Sequence, residues 1–270
     1  MKRKDVLIAI SLSMFVLGVS IILGFESFIP IGTMEIRSLG KSYLKLAYNP
    51  WNTTHTSFSL NVVSAIIWDY RGLDTFYETC ILLASIVAIV TLFRGAVEVK
   101  GVSSKGLSEI TKTATKLIIP LIVLYGVITA LHGHLTPGGG FQGGAIASVS
   151  ISLCLVVYSL DYIWSKGLVI KKLMLLRVIG MLGIILICLM ALITGLAVGA
   201  KAYIFQNMLK EDSPISYPGF VLDAPLAGAL FFFNLFEIFV VVAGLSTALI
   251  LLALRNVEFL KIFEVKETVE

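Results

Sequence analysis

LIIPLIVLYGVITALHGHLTPGGGFQGGAIASVSISLCLVV, residues 117–157, contains no Asp, Glu, Lys or Arg. Two apolar blocks, roughly 117–133 and 139–160, flank a short hinge of His, Thr, Pro and Gly. A helix needs about 20 apolar residues to cross a hydrocarbon core of about 30 Å. In lipid the backbone must satisfy its own hydrogen bonds, so blocks of this kind are expected to be helical. The stretch therefore reads as a hairpin of two membrane helices.

Working outward, further apolar blocks lie at roughly 6–25, 76–93, 173–199 and 224–254. The block at 76–93 is the shortest case, with only fifteen uncharged residues from Thr79 to Phe93 after Glu78. The block at 117–133 is also short, and Pro120 is expected in its first turn, where proline is tolerated. The chain is 57% hydrophobic and only 14% charged, with mean hydropathy +0.95. A soluble domain is about 25% charged, so soluble globular classes are excluded. Disorder, which needs low hydrophobicity and high net charge, is excluded as well. The expected fold is an all-α integral membrane protein of about six transmembrane helices plus one short amphipathic helix.

Charge placement predicts topology. If the N-terminus is cytoplasmic, the inner segments carry 15 Lys and Arg and the outer segments 6, namely Arg37, Lys41, Lys45, Arg71, Lys201 and Lys210. That asymmetry puts both termini inside. The basic residues fall in short runs between apolar blocks, so they are not a nucleic-acid footprint. Lys2-Arg3-Lys4 before Val6–Phe25 is read as the start of a retained span rather than a secretory signal. Lys171, Lys172 and Arg177 are expected to snorkel to the inner surface. Cys80, Cys154 and Cys188 sit inside apolar blocks and read as small hydrophobes.

Residues 26–75 form the longest stretch between spans. Within it, Phe58, Val62, Ile66 and Tyr70 recur every four residues and predict an amphipathic helix over 57–70, too short to span. The polar, glycine-bearing segment 94–116 is the expected boundary between a two-span part, 1–98, and a four-span part, 99–270.

A charge inside a membrane needs a reason, so the few intramembrane ionisable groups are the candidate site. Glu237, in FFFNLFEI (231–238), lies near the middle of the last block. It reads either as a carboxyl on an ion path or as a structural carboxyl bonded to a neighbouring helix. Asp74 and Glu78 are spaced i, i+4 on one helix face. Asp74 reads first as a helix-start carboxylate, and Glu78 as either a structural or a path carboxyl. His132 and His134, of a residue type that ordinarily titrates near neutral pH, suit a relay at the mouth of a path, and His134 reads either as a relay or as a hydrogen-bond strut. No third ligand with metal spacing accompanies them, so no metal site is expected. Gly138, Gly140 and Gly143 spell GxGxxG without the strand that a dinucleotide site requires. Instead Thr136 is expected to cap, and Pro137 to open, the helix that follows. Gly140, Gly144 and Ser148 then form a small-residue stripe for close helix approach.

His132–Gly144, above all Gly133-His134, Pro137-Gly138-Gly139-Gly140-Phe141 and Gly143-Gly144, resembles the signature loop of the MnhB-related component of Mrp-type multisubunit cation/proton antiporters. The likeness continues at Thr194-Gly195-Leu196 and Leu235-Phe236-Glu237, covering about 113–255; family members commonly carry Asp at the Glu237 position. Asp69-Tyr70-Arg71-Gly72-Leu73-Asp74-Thr75-Phe76-Tyr77-Glu78 is similar to the C-terminal end of the large MnhA-type component, or to its small stand-alone counterpart in archaeal membrane-bound hydrogenases. There the chain departs at Tyr77, where the family has Gly.

The resemblance implies a membrane subunit of a sodium/proton antiporter module, within a redox-driven ion-pumping respiratory complex, in the cell membrane. Expected partners are the other antiporter-module membrane subunits, membrane lipid, and a peripheral redox arm with iron–sulfur subunits, but no nucleic acid. No cofactor is expected in this chain, and no catalysis by the chain alone. The alternatives are a structural linker of such a complex, a subunit of a free-standing antiporter, and an intramembrane enzyme using His132 or His134.

Overall fold

A computed structural model describes residues 3–28, 36–93 and 106–253. It divides into two compact units, 1–42 and 43–270. The first holds helix α1 (Arg3–Phe28), 26 residues long, in which Ile10–Ile22 is an apolar stretch containing the expected first span's centre. Helix α2 (Ser38–Ala47), which no apolar block announces, leads into the second unit.

Five described helices are long and apolar enough to cross a membrane. They are α4 (Gly72–Leu92), α5 (Glu109–Leu131), α6 (Gly140–Val157), α8 (Ile170–Val198) and α9 (Ala229–Leu252). A short helix, α7 (Leu160–Ser165), joins α6 to α8. Among the described residues the fold is all-α apart from one small hairpin, as expected for a multi-pass membrane protein. Large apolar side chains such as Leu117, Leu121, Leu182 and Leu196 are exposed, while Asn234, Glu237 and Arg177 are buried. This inverts the pattern of a water-soluble core and suits a bilayer surround.

Helix α9 is the centre of the second unit, packing against α4, α5, α6 and α8, while α5 runs along the other side of α6. Glycine sets the approach. A Cβ on Gly144 would lie 2.7 Å from that of Val241 in α9, and one on Gly126 of α5 2.7 Å from the Gly143 carbonyl of α6. On the opposite flank, Gly180 and Gly183 of α8 lie against Val240 and the Phe236 ring. Small residues at such crossings let backbones meet, the main source of helix association in lipid.

Several boundaries differ from those expected. Helix α5 starts eight residues before its apolar block, capped by the Ser108 hydroxyl and supported by a Glu109–Lys112 ion pair. Pro120 therefore sits in the helix interior, where it leaves the carbonyl four residues back without its N–H, and not in the first turn. Helix α9 starts at Ala229 rather than 224, because strands β1 (Phe220–Val221) and β2 (Ala224–Pro225) fold into a hairpin first. Leu222 and Asp223 at its tip both have positive φ, 48° and 64°, the left-handed pair that a two-residue hairpin turn demands.

The predicted amphipathic helix over 57–70 is also different. Residues 57–60 form no helix, with Phe58 at φ +53°, α3 (Val62–Ser64) is one turn capped by Asn61, and Ala65–Tyr70 is a π-helical turn. Its inner face is buried in protein, not at an interface: Ala65 and Trp68 are fully enclosed, and Trp68 stacks on Phe233 of α9 at 4.5 Å. The expected boundary at 94–116 falls largely on 94–105, which lie outside the described residues, as do residues 254–270.

Candidate functional site

The site lies where α6 begins. Gly138 has φ +149°, a conformation that side chains rarely adopt, and a Cβ there would meet Thr129. The chain turns at this point and α6 starts at Gly140, with no capping side chain of its own. Thr136 does not cap it and Pro137 does not open it; the Thr136 hydroxyl bonds back to the His132 carbonyl at 3.4 Å. The cap comes from α9 instead: the Gly140 N–H donates to Asn234 Oδ1 at 3.2 Å.

Glu237 lies one turn beyond Asn234 on the same face of α9. It is 3% exposed. Its carboxyl lies beside the backbone N–H of Phe141, the second residue of α6, and beside the Trp68 indole N–H, with the Glu78 carboxylate acting on it from α4. The unpaired N–H groups and dipole of a helix N-terminus favour a carboxylate, which gives Glu237 a local counter-charge in an otherwise apolar bundle. The contact is close enough that a Cβ on Gly140 would lie 2.7 Å from Glu237 Oε2. The indole N–H of Trp68 and the amide Nδ2 of Asn234 are both buried without a hydrogen-bond partner among the described residues. Of the two, the Trp68 indole lies beside the buried acid, while Asn234 Nδ2 lies against Gly133 of the loop.

The loop is laced from the other side by residues 59–64. Asn61 Nδ2 donates to the carbonyls of Gly133 (2.7 Å), Thr136 (2.9 Å) and Gly138 (3.4 Å). Ser64 Oγ also donates to Gly133 O, and Ser59 Oγ to His134 O at 2.8 Å. Asn207 supports both parts, donating to Ser57 O and accepting from the Ala229 N–H that opens α9.

His134 is buried, with its ring edge-on to Phe231 at 5.7 Å. Its Nε2–H donates to Pro225 O at 2.9 Å, which leaves Nδ1 as an acceptor, and Nδ1 has no partner among the described residues. Burial holds the imidazole below its ordinary range, with His132 adding repulsion and the Pro225 and Leu131 carbonyls opposing. A base whose folded value is depressed contributes stability above its unfolded value that is lost as pH falls through the folded one. Amide protection across 132–140, taken relative to the intrinsic exchange rate at each pH, is thus expected to fall from about pH 8 to about pH 5. A His134→Gln variant, whose amide still reaches Pro225 O, is expected to lack that acid-induced loss of protection. An identical pH response in the variant would remove His134 as its source.

Phe231, Asn234 and Glu237 follow one another at three-residue steps, so His134, Asn234 and Glu237 form a descending line of polar groups along α9. The other sequence candidates lie apart from it. His132 is exposed at the end of α5, outside that line, and Asp74 is exposed and ion-paired to Arg71 in the first turn of α4. Glu78 is on the exposed face of α4 and reaches Glu237 only by its charge. Of the glycine loop, Gly140 and Gly144 face α9, Gly143 faces α5, and Gly139 lies against Gln142 and Asn234, while Pro137 is exposed. No cluster of three metal-ligating side chains occurs among the described residues.

Several residues of the site go beyond the sequence candidates. Asn234 stands beside Glu237 as the one amide in an apolar run, a readable signal. Asn61, Ser64 and Trp68 give none, because their roles depend on contacts some 70 to 170 positions away. Arg177, expected at the surface, is fully buried.

Known proteins resemble this chain in sequence and in fold. A protein of Methanocaldococcus jannaschii, itself uncharacterized, is 28% identical over 262 residues, covering 90% of this chain and 96% of its own length. The B component of the Na+/H+ antiporter of Bacillus subtilis is 48% identical over 56 residues, 21% of this chain and 39% of that protein. Among solved structures, a chain of the membrane-bound sulfane sulfur reductase, an archaeal respiratory membrane complex, superposes with TM-score 0.53 at 23% identity, over 92% of this chain and 99% of that one. A chain of the Mrp complex of Dietzia sp. DQ12-45-1b gives TM-score 0.58 at 18% identity, over 95% of this chain but 26% of that chain. A family model of domains related to the MnhB subunit of Na+/H+ antiporters matches residues 110–247, more than half of the chain, and the chain belongs to that family.

Proposed function

We propose that this chain is a membrane subunit of a sodium/proton antiporter module, and that Glu237 is the carboxyl through which it takes part in the ion path. The observation that carries the reading is a buried acid placed at a helix N-terminus, beside the Trp68 indole N–H. A carboxyl so placed exchanges a proton or a cation against a fixed counter-dipole, a task with no purpose in a simple packing contact. The chain's few intramembrane charges do not make a full relay, so the path is completed by other membrane subunits. The end-to-end fold likeness to a chain of an archaeal respiratory complex supports a place in a redox-driven complex of the cell membrane. The likeness to the Mrp chain involves only a quarter of that chain, which supports the free-standing antiporter less. A peripheral arm with iron–sulfur subunits is the partner this reading requires beyond the membrane subunits.

The test is Glu237→Gln in the intact complex reconstituted into vesicles. Glutamine keeps the shape and removes the titratable charge, so coupled sodium or proton transport is expected to fall at least about tenfold, the effect of removing one placed acid–base group. Glu237→Asp, which keeps the charge, is expected to retain most of it. Unchanged transport in the glutamine variant would leave the chain as a structural linker.

A further inference from the structure

Arg177 is the eighth residue of α8 and is fully buried. None of its Nε, Nη1 and Nη2 atoms has a hydrogen-bond partner among the described residues. Its guanidinium carbon lies 3.3 Å from where a Cβ on Gly244 of α9 would be, so the glycine makes the room it occupies. Guanidinium stays protonated in proteins. A buried charge without a partner is costly, and among the described residues nothing local cancels its field.

Its place in the bundle gives that field a use. Helices α8 and α9 run antiparallel: Gly183 covers Phe236, Gly180 covers Val240, and Arg177 covers Gly244. Moving along α9 from the glycine loop, the order is Asn234, Glu237, the fully buried Val240 and Val241, and then Arg177. Glu237 and Gly244 are seven residues apart, about 10 Å of helix rise. The polar line from His134 to Glu237 thus ends on an apolar plug backed by a cation that has no partner among the described residues.

We propose that Arg177 is an electrostatic barrier that closes the bundle on the far side of Glu237, so that cations and protons reach Glu237 only from the glycine-loop end. This rests on the reading of Glu237 as an ion-path carboxyl. An antiporter subunit open on both sides of its carboxyl would leak; a fixed positive charge beyond that carboxyl stops cations as a positive ring stops them in a pore.

The assembled complex, reconstituted into phosphatidylcholine–phosphatidylglycerol vesicles, tests this by passive proton flux under an imposed pH gradient. Arg177→Met is expected to raise that flux about tenfold, the change one charge at about 10 Å makes to a barrier at an effective dielectric constant of about 20. Arg177→Gln is expected to do the same, and Arg177→Lys, which keeps the charge, to stay at the wild-type level. Adding Glu237→Gln to Arg177→Met is expected to return the flux towards wild type. The proposal is overturned if Met and Gln leave the flux unchanged, or if Lys leaks as Met does. Failure of both neutral variants to assemble also overturns it, because a charge without a partner has no pairing for the fold to lose. Coupled transport unaffected by Glu237→Gln alone would sink the functional reading instead, whatever the flux of the Arg177 variants.

Discussion

Asn61→Asp is expected to unfold the glycine loop and cost about 3–5 kcal/mol, the scale of a buried charge left uncompensated. The amide Nδ2 of Asn61 is the shared donor to the carbonyls of Gly133, Thr136 and Gly138, while its Oδ1 accepts from the Val63 and Ser64 N–H groups. Aspartate preserves the accepting half. It turns the donating half into an oxygen facing three carbonyl oxygens, with no proton between them. Asn61→Ala removes the same bonds but adds no charge, so its loss is expected to be smaller, about 1–3 kcal/mol for groups left unsatisfied. Thermal unfolding in detergent checks the order: Asp lowest, Ala between, wild type highest. Equal midpoints for Asp and Asn would mean that the loop is held elsewhere.

Gly140→Ala is expected to be nearly as damaging, and to transport as well as to stability. The added Cβ would lie 2.5 Å from the Asn234 carbonyl oxygen and 2.6 Å from Glu237 Cβ. The first of these is backbone, which does not swing aside as the end of a side chain does. Helices α6 and α9 must part or tilt, at about 1–3 kcal/mol for overpacking. That separation also lengthens the Gly140 N–H to Asn234 Oδ1 bond, a cap worth about 1 kcal/mol. Glu237 would then lose its place at the α6 N-terminus. Coupled transport is expected to fall with the unfolding midpoint. The control is Gly18→Ala in α1, where nothing lies within 4 Å of the new Cβ and neither quantity is expected to drop.

Much of this architecture is legible in the sequence. The long apolar blocks form α4, α5, α6, α8 and α9, because in lipid an apolar run of that length has one way to satisfy its backbone. The ends of those helices are less legible. Ser108, Glu109 and Lys112 extend α5 well outside its apolar block, and composition alone does not separate such a polar first turn from a loop. Thr136-Pro137 has the look of a helix start, yet a side chain from α9 supplies the cap, and no local pattern signals a partner so far along the chain. Glu237 stands out because a carboxylate in FFFNLFEI has no inexpensive explanation. Arg177 is obscured for the opposite reason: two lysines nearby make a surface explanation sufficient, and only Gly244, on another helix, shows where the side chain goes.

The cap that α9 gives to α6 also has a consequence for how the protein is made. Gly140 and Asn234 are 94 positions apart. At synthesis rates of about 5–20 residues per second, the start of α6 leaves the ribosome roughly 5–20 s before the side chain that completes it. Asn61, by contrast, is already in place when the loop emerges, and its amide can hold Gly133, Thr136 and Gly138 at once. The two polar anchors of the glycine loop are therefore separated in time: the earlier one shapes the hairpin of α5 and α6, and the later one arrives with the acid itself. Until then the nascent hairpin carries an uncapped helix end, which makes the interval before α9 inserts the period in which this chain most depends on the insertion machinery.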